Sequence, residues 1–203
     1  MDYQLVSSRQ ATRIWDDLLK KGISRIESSL STFVGRELNF NSQTINQVAL
    51  EDVPDILGGS EVLVIGINSA FSGPASGSLM LVYEPDLAFM IGDIVAGNDS
   101  GTIQNLDDVG LSLLSETGNI MSSSILSVIA DSLNVSFRPS PSKVLVDMNG
   151  AILDIAMFEV LDVNEDVFIS EVSLCSDDNE VKSKFIIIPS PVLLELTLAS
   201  ART

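Results

Sequence analysis

Apolar residues follow two different spacings along this chain, in a repeating order. Between residues 13 and 34, and again around residues 111–133, they recur every three or four positions, which is the period of an amphipathic helix. Runs rich in Val, Ile and Leu then follow, with the length of buried strands. The pattern predicts two long helices, each followed by a strand, a short helical piece, two apolar strands and a further helix.

The apolar runs indicate that one unit occurs twice. SGSLMLVYEPD (76–86) aligns without a gap with VKSKFIIIPSP (181–191) at an offset of 105, and EVLVIGI (61–67) aligns with DVFISEV (166–172) at the same offset. The two long helices align at an offset of 99. Because the matching segments come in the same order, we predict an internal duplication.

The predicted repeats occupy approximately residues 10–97 and 105–201. Neither repeat could bury its long apolar strands alone, so both should share one core within a single domain of residues 1–203. We therefore predict an α/β (α+β) fold, in which long helices pack on a largely antiparallel sheet about an approximate two-fold axis.

The composition is that of a globular and strongly acidic protein. Of the 203 residues 45% are apolar, and 28 acidic against 11 basic residues give a net charge of −17. This charge argues against binding to nucleic acid, which needs Lys and Arg, and against attraction to anionic membrane surfaces. The N-terminus has no signal-peptide pattern and no apolar run reaches the length of a membrane span, so we expect a cytoplasmic protein.

The chain contains no His. This removes the usual general base, the Ser–His and Cys–His nucleophile pairs, and the commonest ligand of transition metals. Any chemistry must therefore use carboxylates, amides, hydroxyls and water.

The second long helix carries the candidate functional residues. At 100° per residue, a core-facing seam and a polar strip lie nearly opposite each other. The seam comprises Leu111, Leu114, Gly118, Met121, Ile125 and Val128, and the polar strip comprises Ser112, Glu116, Asn119 and Ser123. Such a strip is common on surface helices, but Asn is a poor helix former. Glu116 and Asn119 are one turn apart, so they are the candidates for joint contact with a substrate.

Two further segments follow the polar strip: PSPS (139–142) and VLVDMNGAILD (144–154). Together with the spacing Ser112-x3-Glu116-x2-Asn119, they resemble the second half of the CheC/CheX/FliY family, and CheC most of all. The family consists of phosphatases of the chemotaxis response regulator CheY. Its motif is Asp or Ser, three residues, Glu, two residues, Asn and a later Pro.

The resemblance implies roles for single residues. Asn119 would use its amide to hold a water in line with the phosphorus, and Glu116 would pair with a basic residue of the partner. Ser112 would give local support, and Pro141 would shape the loop beneath the site. Because 21 residues separate Asn119 from Pro141 and 19 separate it from Pro139, which Pro matches the family's Pro stays open.

The partner implied by the resemblance is a phosphorylated CheY-like receiver domain. Such a domain carries its phosphoryl group on an Asp and binds magnesium in its own active site, so the resemblance implies no cofactor and no metal site in this chain. Orienting a water is a positioning effect that requires no His.

The first repeat lacks an equivalent Glu/Asn pair. At the offset of 99, the counterparts of the three motif positions are Arg13, Asp17 and Lys20. Lys has no acceptor and cannot copy an amide. We therefore predict that Asp17 and Lys20 mark a degenerate first site on a solvated charged face, and that the protein has one active site.

Two other interpretations stay open. The middle domain of the flagellar switch protein FliM is related to this family, lacks the Glu/Asn pair and serves assembly, which makes a non-catalytic binding module the main alternative. Some CheC proteins also resemble adaptors that bind the receptor deamidase CheD, and no motif in this chain tests that role.

Overall fold

The computed structural model describes residues 2–99, 101–160, 165–176 and 179–200. The helices are α1 (Asp2–Val34), α2 (Val53–Ile56), α3 (Pro85–Ala96), α4 (Asp108–Leu133), α5 (Asn149–Phe158) and α6 (Pro191–Ser200). The strands are β1 (Asn39–Ser42), β2 (Asn46–Ala49), β3 (Leu63–Ser72), β4 (Gly77–Tyr83), β5 (Arg138–Pro139), β6 (Lys143–Met148), β7 (Asp166–Ser176) and β8 (Asn179–Pro189). A 3-10 turn, Leu50–Asp52, leads into α2.

The strands form one eight-stranded sheet in the order β1-β7-β8-β4-β3-β5, with β2 also paired to β7 and β6 also paired to β3. All strand pairs in the described part of the chain are antiparallel. The β4–β8 pair joins the two halves of the chain at the middle of the sheet, with Met80 opposite Ile186. The predicted fold class, with helices on a largely antiparallel sheet, is confirmed.

Helices cover both faces of this sheet. Along β4, the alternation of side chains sends Leu79 and Leu81 into the core beneath the long helices, and Met80 and Val82 into a second core beneath α5. Both faces are apolar because both are covered, which explains why β4 is buried along its whole length. Among the described residues, no helix is both long and apolar enough to cross a membrane.

The two halves contain the same order of elements: a long helix, two short strands, a short helix, two long strands and a closing helix. This order is the one that the predicted duplication implies, and the duplication itself stays a prediction. One detail differs from the expected pattern, because two short strands replace the single strand after each long helix. In the second half the interruption falls at Ser140–Ser142, where Pro141 has no N–H to offer to a ladder.

Candidate functional site

Helix α4 positions the predicted site residues. It begins after Asp107, whose side chain accepts a hydrogen bond from the N–H of Gly110 at 2.9 Å. It ends at Asn134, which adopts the left-handed conformation with φ 52° and closes the helix. The 26 residues between them form one continuous helix, so the spacing of the motif translates directly into positions on its surface.

The predicted seam and polar strip lie where the helical period places them. Leu114, Gly118, Met121 and Ile125 are buried, and Leu111 and Val128 at the ends of the seam are half-buried. In the polar strip, Ser112, Glu116 and Ser123 are exposed. Asn119 is half-buried, which the helical period alone did not predict.

The half-buried position of Asn119 results from two contacts of its amide. Its Oδ1 accepts a hydrogen bond from the main-chain N–H of Ser142 at 2.8 Å. Its Nδ2 donates to Oε2 of Glu116 at 3.3 Å. The Ser142 N–H can only donate, so the amide oxygen must face it, and this assigns the amide nitrogen to the Glu116 side.

The amide of Asn119 keeps half of its hydrogen-bonding capacity. An Asn amide has two donor hydrogens and two acceptor lone pairs, and each of the two contacts uses one. One N–H and one lone pair of Oδ1 therefore stay available to a visiting water. The arrangement can orient a water without supplying a nucleophile or a base of its own.

The loop between β5 and β6 lies against this amide. Ser140 donates its N–H to the carbonyl of Ala70 at 2.8 Å, and Ser142 donates its N–H to Asn119. Pro141 is exposed between these two anchored residues and lacks an N–H that would need a partner. Pro139 belongs to β5, where it pairs with Phe71. Of the two Pro candidates, Pro141 is the neighbour of the residue that touches Asn119.

Ser112 lies one turn before Glu116 and is exposed. Its hydroxyl meets no hydrogen-bond partner within the described part of the chain, although its position on the strip agrees with the predicted spacing. Its supporting role stays a prediction.

A shallow groove of about 420 Å³ runs between α1 and α4 beside the motif. It is lined by Arg25, Ser29, Glu116, Asn119, Ile120, Ser123, Ser124 and Ser127. Arg25 of α1 donates to the hydroxyl of Ser127 and pairs with Asp131 at 3.2 Å. A larger cleft of about 720 Å³ lies between α2 and α5, and no motif residue lines it. The motif therefore faces an open surface suited to a protein partner, not an enclosed pocket for a small ligand.

The residues predicted to form a degenerate first site lie on α1. Asp17 and Lys20 are both exposed. Lys20 pairs with Asp16 at 2.6 Å, and Asp16 also accepts a hydrogen bond from the N–H of Ile45 at 3.0 Å. Burial favours the protonated form of Asp16, but the hydrogen bonds from Lys20 and Ile45 outweigh it and hold the pKa of this carboxyl below its ordinary value.

Sequence reasoning missed two residues of the site. Ser142 contributes its main-chain N–H, a group that every residue except Pro carries, so residue type gave no signal. Arg25 lies on the other long helix, and only the packing of α1 against α4 brings it to the groove. The structure brings Glu116, Asn119 and the Pro141 loop together as expected.

Comparison with known proteins gives one match to the motif region of the chain and others that cover most of it. Residues 109–141 match the CheC-like family, so the match covers the polar strip of α4 and ends at Pro141. Over 172 residues the chain is 25% identical to the CheY-P phosphatase CheC of Bacillus subtilis (strain 168). The alignment covers 83% of this chain and 82% of that protein. The predicted resemblance to the CheC/CheX/FliY family is confirmed.

Solved structures extend the likeness to the CheC/CheX/FliY fold. FliY of Thermotoga maritima has a TM-score of 0.74 at 21% identity, with 94% of both chains covered. The FliM middle domain of H. pylori has a TM-score of 0.68 at 14% identity, with 95% of this chain and 99% of that chain covered. At these identities the likeness shows the fold alone.

Proposed function

We propose that the protein is a phosphatase that accelerates hydrolysis of the aspartyl phosphate of a CheY-like response regulator. The observation that carries the proposal is the amide of Asn119, which lies on a solvent-facing helix surface with one N–H and one lone pair unused. The similarity to the CheY-P phosphatase CheC of Bacillus subtilis supports it. The proposed substrate also implies the cytoplasmic location that the sequence predicts.

The proposed reaction is a direct attack by water. The water donates one O–H to Oδ1 of Asn119 and directs a lone pair at the phosphorus. The new P–O bond forms as the bond to the aspartyl oxygen breaks, which leaves a carboxylate and inorganic phosphate. A carboxylate leaves without protonation, so the phosphatase needs no general acid, and the partner supplies magnesium. Asn119 contributes positioning, the kind of effect by which Gln orients the attacking water in GTPases.

Glu116 has a different role in this proposal. It is exposed one turn before Asn119 and already accepts from Nδ2 of that residue. Its negative charge can pair with a basic residue beside the phosphoryl group of the receiver. That pair fixes the docking orientation, because the two side chains project from one rigid helix.

The first experiment measures phosphate release from an acetyl-phosphate-charged CheY-like receiver domain. The wild-type protein should accelerate release, and Asn119→Ala should lose about 100-fold of the acceleration, since a misplaced water removes the positioning effect. Binding of Asn119→Ala to a receiver held in its phosphorylated form by beryllofluoride should be retained. Ser132→Ala, an exposed change on the same helix outside the groove, is the matched control.

A second experiment separates docking from chemistry. Glu116→Ala should weaken affinity for the beryllofluoride-held receiver by about 2 kcal/mol, roughly 30-fold in Kd, and more than Asn119→Ala does. Glu116→Gln keeps the shape of the side chain and an acceptor oxygen but removes the charge, so most of the loss of affinity should appear in this variant as well. Equal affinity in wild type, Glu116→Ala and Asn119→Ala would contradict the docking role of Glu116.

The alternative is a non-catalytic binding module, since FliM middle domains share the fold. Under that alternative the protein would bind a partner but would not change phosphate release, and Asn119→Ala would behave as wild type. An adaptor role through CheD could coexist with phosphatase activity. A pull-down with CheD tests it separately.

A further inference from the structure

Ser142 is fixed at three points in the core beside the site. It is 5% exposed. Its N–H donates to Oδ1 of Asn119 at 2.8 Å, and its carbonyl accepts from the hydroxyl of Ser115 at 2.9 Å. Its hydroxyl forms a hydrogen bond with the hydroxyl of Ser69 on β3. The N–H that faces Asn119 is therefore anchored to both α4 and the sheet.

Close packing at Gly118 makes this contact geometrically available. A Cβ at Gly118 would lie 2.3 Å from Cγ2 of Ile67 and 3.0 Å from the Cβ and Oγ of Ser142. Any larger residue would push the loop away from α4. The helix, the strand and the loop meet at this point because Gly118 has no side chain.

We propose that the main-chain N–H of Ser142 is a positioning group for the phosphatase reaction. It holds the amide of Asn119 with its remaining N–H and lone pair directed at the docked receiver. Torsion about the last bond of an Asn side chain is otherwise broad and nearly two-fold, so oxygen and nitrogen would exchange places. The N–H of Ser142 excludes the orientation in which oxygen and nitrogen are exchanged, because the amide N–H of Asn119 would then face the N–H of Ser142 and neither could accept a hydrogen bond. This inference rests on the proposed function.

Hydrogen exchange tests the contact without any activity measurement. Asn119→Ala removes the acceptor and also improves helix propensity, so the variant should fold. The Ser142 amide hydrogen should then exchange roughly 5-fold faster or more, which is the effect of losing one neutral hydrogen bond. The Ser140 amide, bonded to Ala70 in the same loop, is the internal control and should be unchanged. An unchanged Ser142 rate would overturn the proposal.

Single-turnover kinetics tests the positioning role. Ser142→Pro removes the N–H, and the rate of the saturated complex should fall by about 2- to 10-fold, the range of one net hydrogen bond. Affinity for the beryllofluoride-held receiver should change less than about 2-fold, because the docking side chains stay in place. Ser142→Ala keeps the N–H, so the rate of its saturated complex should fall much less. Equal falls in rate for Ser142→Pro and Ser142→Ala would overturn the proposal. A fall in affinity for the receiver with no fall in rate would also overturn it.

The two measurements separate this inference from the proposed function. If the wild type accelerates phosphate release but Asn119→Ala does not change Ser142 exchange, the positioning role alone is wrong. If the exchange difference appears but the wild type is inactive on receivers, the proposed function is wrong and the reaction-specific role is refuted with it. If Ser142→Pro does not fold, the exchange measurement decides.

Discussion

Replacement of Gly118 by Ala tests the packing on which the candidate site depends. In an exposed helix this change would stabilise α4 by about 1 kcal/mol through helix propensity. Here the new methyl would lie 2.3 Å from Cγ2 of Ile67, a branched side chain that is 1% exposed on a central strand and cannot rotate away. Overpacking costs about 1–3 kcal/mol, and a 2.3 Å contact with a side chain that cannot rotate away belongs in the upper part of that range, at about 2–3 kcal/mol. The free energy of unfolding should therefore fall by about 1–2 kcal/mol, with the clash outweighing propensity.

The assay is urea unfolding, with thermal unfolding as a second measure. For a chain of this size the loss corresponds to a fall in Tm of roughly 2–8 °C. Gly22→Ala on α1 is the matched control, because its new methyl would meet mainly the terminal Cδ1 of Ile125, at 2.4 Å, which can move. The free energy of unfolding of the Gly22→Ala control should fall by less than about 1 kcal/mol. A Gly118→Ala protein as stable as wild type, or less affected than Gly22→Ala, would refute the reasoning.

Two further predictions concern charged pairs. The hydrogen bond from Lys184, opposed by partial burial, holds the pKa of Glu171 below its ordinary value. The stability from this pair is present above the ordinary carboxyl pKa and is lost as the pH falls through the folded-state value. Glu171→Gln should therefore lower the free energy of unfolding at about pH 7 by at most about 1 kcal/mol, and this difference should shrink as the pH falls below the ordinary carboxyl pKa. Urea unfolding at a series of pH values measures the difference, and a difference that grows in acid would contradict this prediction. The double change Asp17→Ala, Lys20→Ala should keep phosphate release within about 2-fold of wild type, because the proposed function places the chemistry on α4 alone. A tenfold loss of phosphate release would show that α1 contributes.

The helical period was sufficient to predict which side of α4 faces the core. Leu114, Met121 and Ile125 are buried and Glu116 is exposed, because side chains on a continuous helix follow 3.6 residues per turn wherever the helix lies. The antiparallel sheet was equally predictable from its long apolar strands. These features depend on local spacing, which the sequence contains directly.

The environment of Asn119 was not predictable in the same way. Its half-buried position depends on Ser142, a residue 23 positions away, and on a main-chain group that gives no residue-type signal. The contact requires three elements to meet at Gly118. The helical period places Gly118 on the seam but does not show how closely its neighbours approach. Long-range packing of this kind follows from the folded arrangement and not from periodicity.

In the second half of the chain, a side chain of the long helix accepts a hydrogen bond from a loop N–H, and the first half contains a contact of the same kind. This contact gives a reason why the first half is predicted to have no phosphatase site. Oδ1 of Asp16 accepts the N–H of Ile45, which immediately precedes β2, as Ser142 immediately precedes β6. In the predicted duplication, this contact makes Asp16, and not Lys20, the counterpart of Asn119. A carboxylate cannot donate, repels a phosphoryl group, and is here engaged by Lys20.

One substitution would not restore this site. Asp16→Asn would supply an amide that can still accept from Ile45, but the residue three positions earlier, where α4 carries Glu116, is the exposed and basic Arg13. A basic side chain there would repel the basic group that Glu116 is proposed to meet on the receiver. In the proposed function the amide of Asn119 provides the chemistry and the carboxylate of Glu116 provides docking. A helix that lacks both groups would therefore need two coordinated changes before it could act.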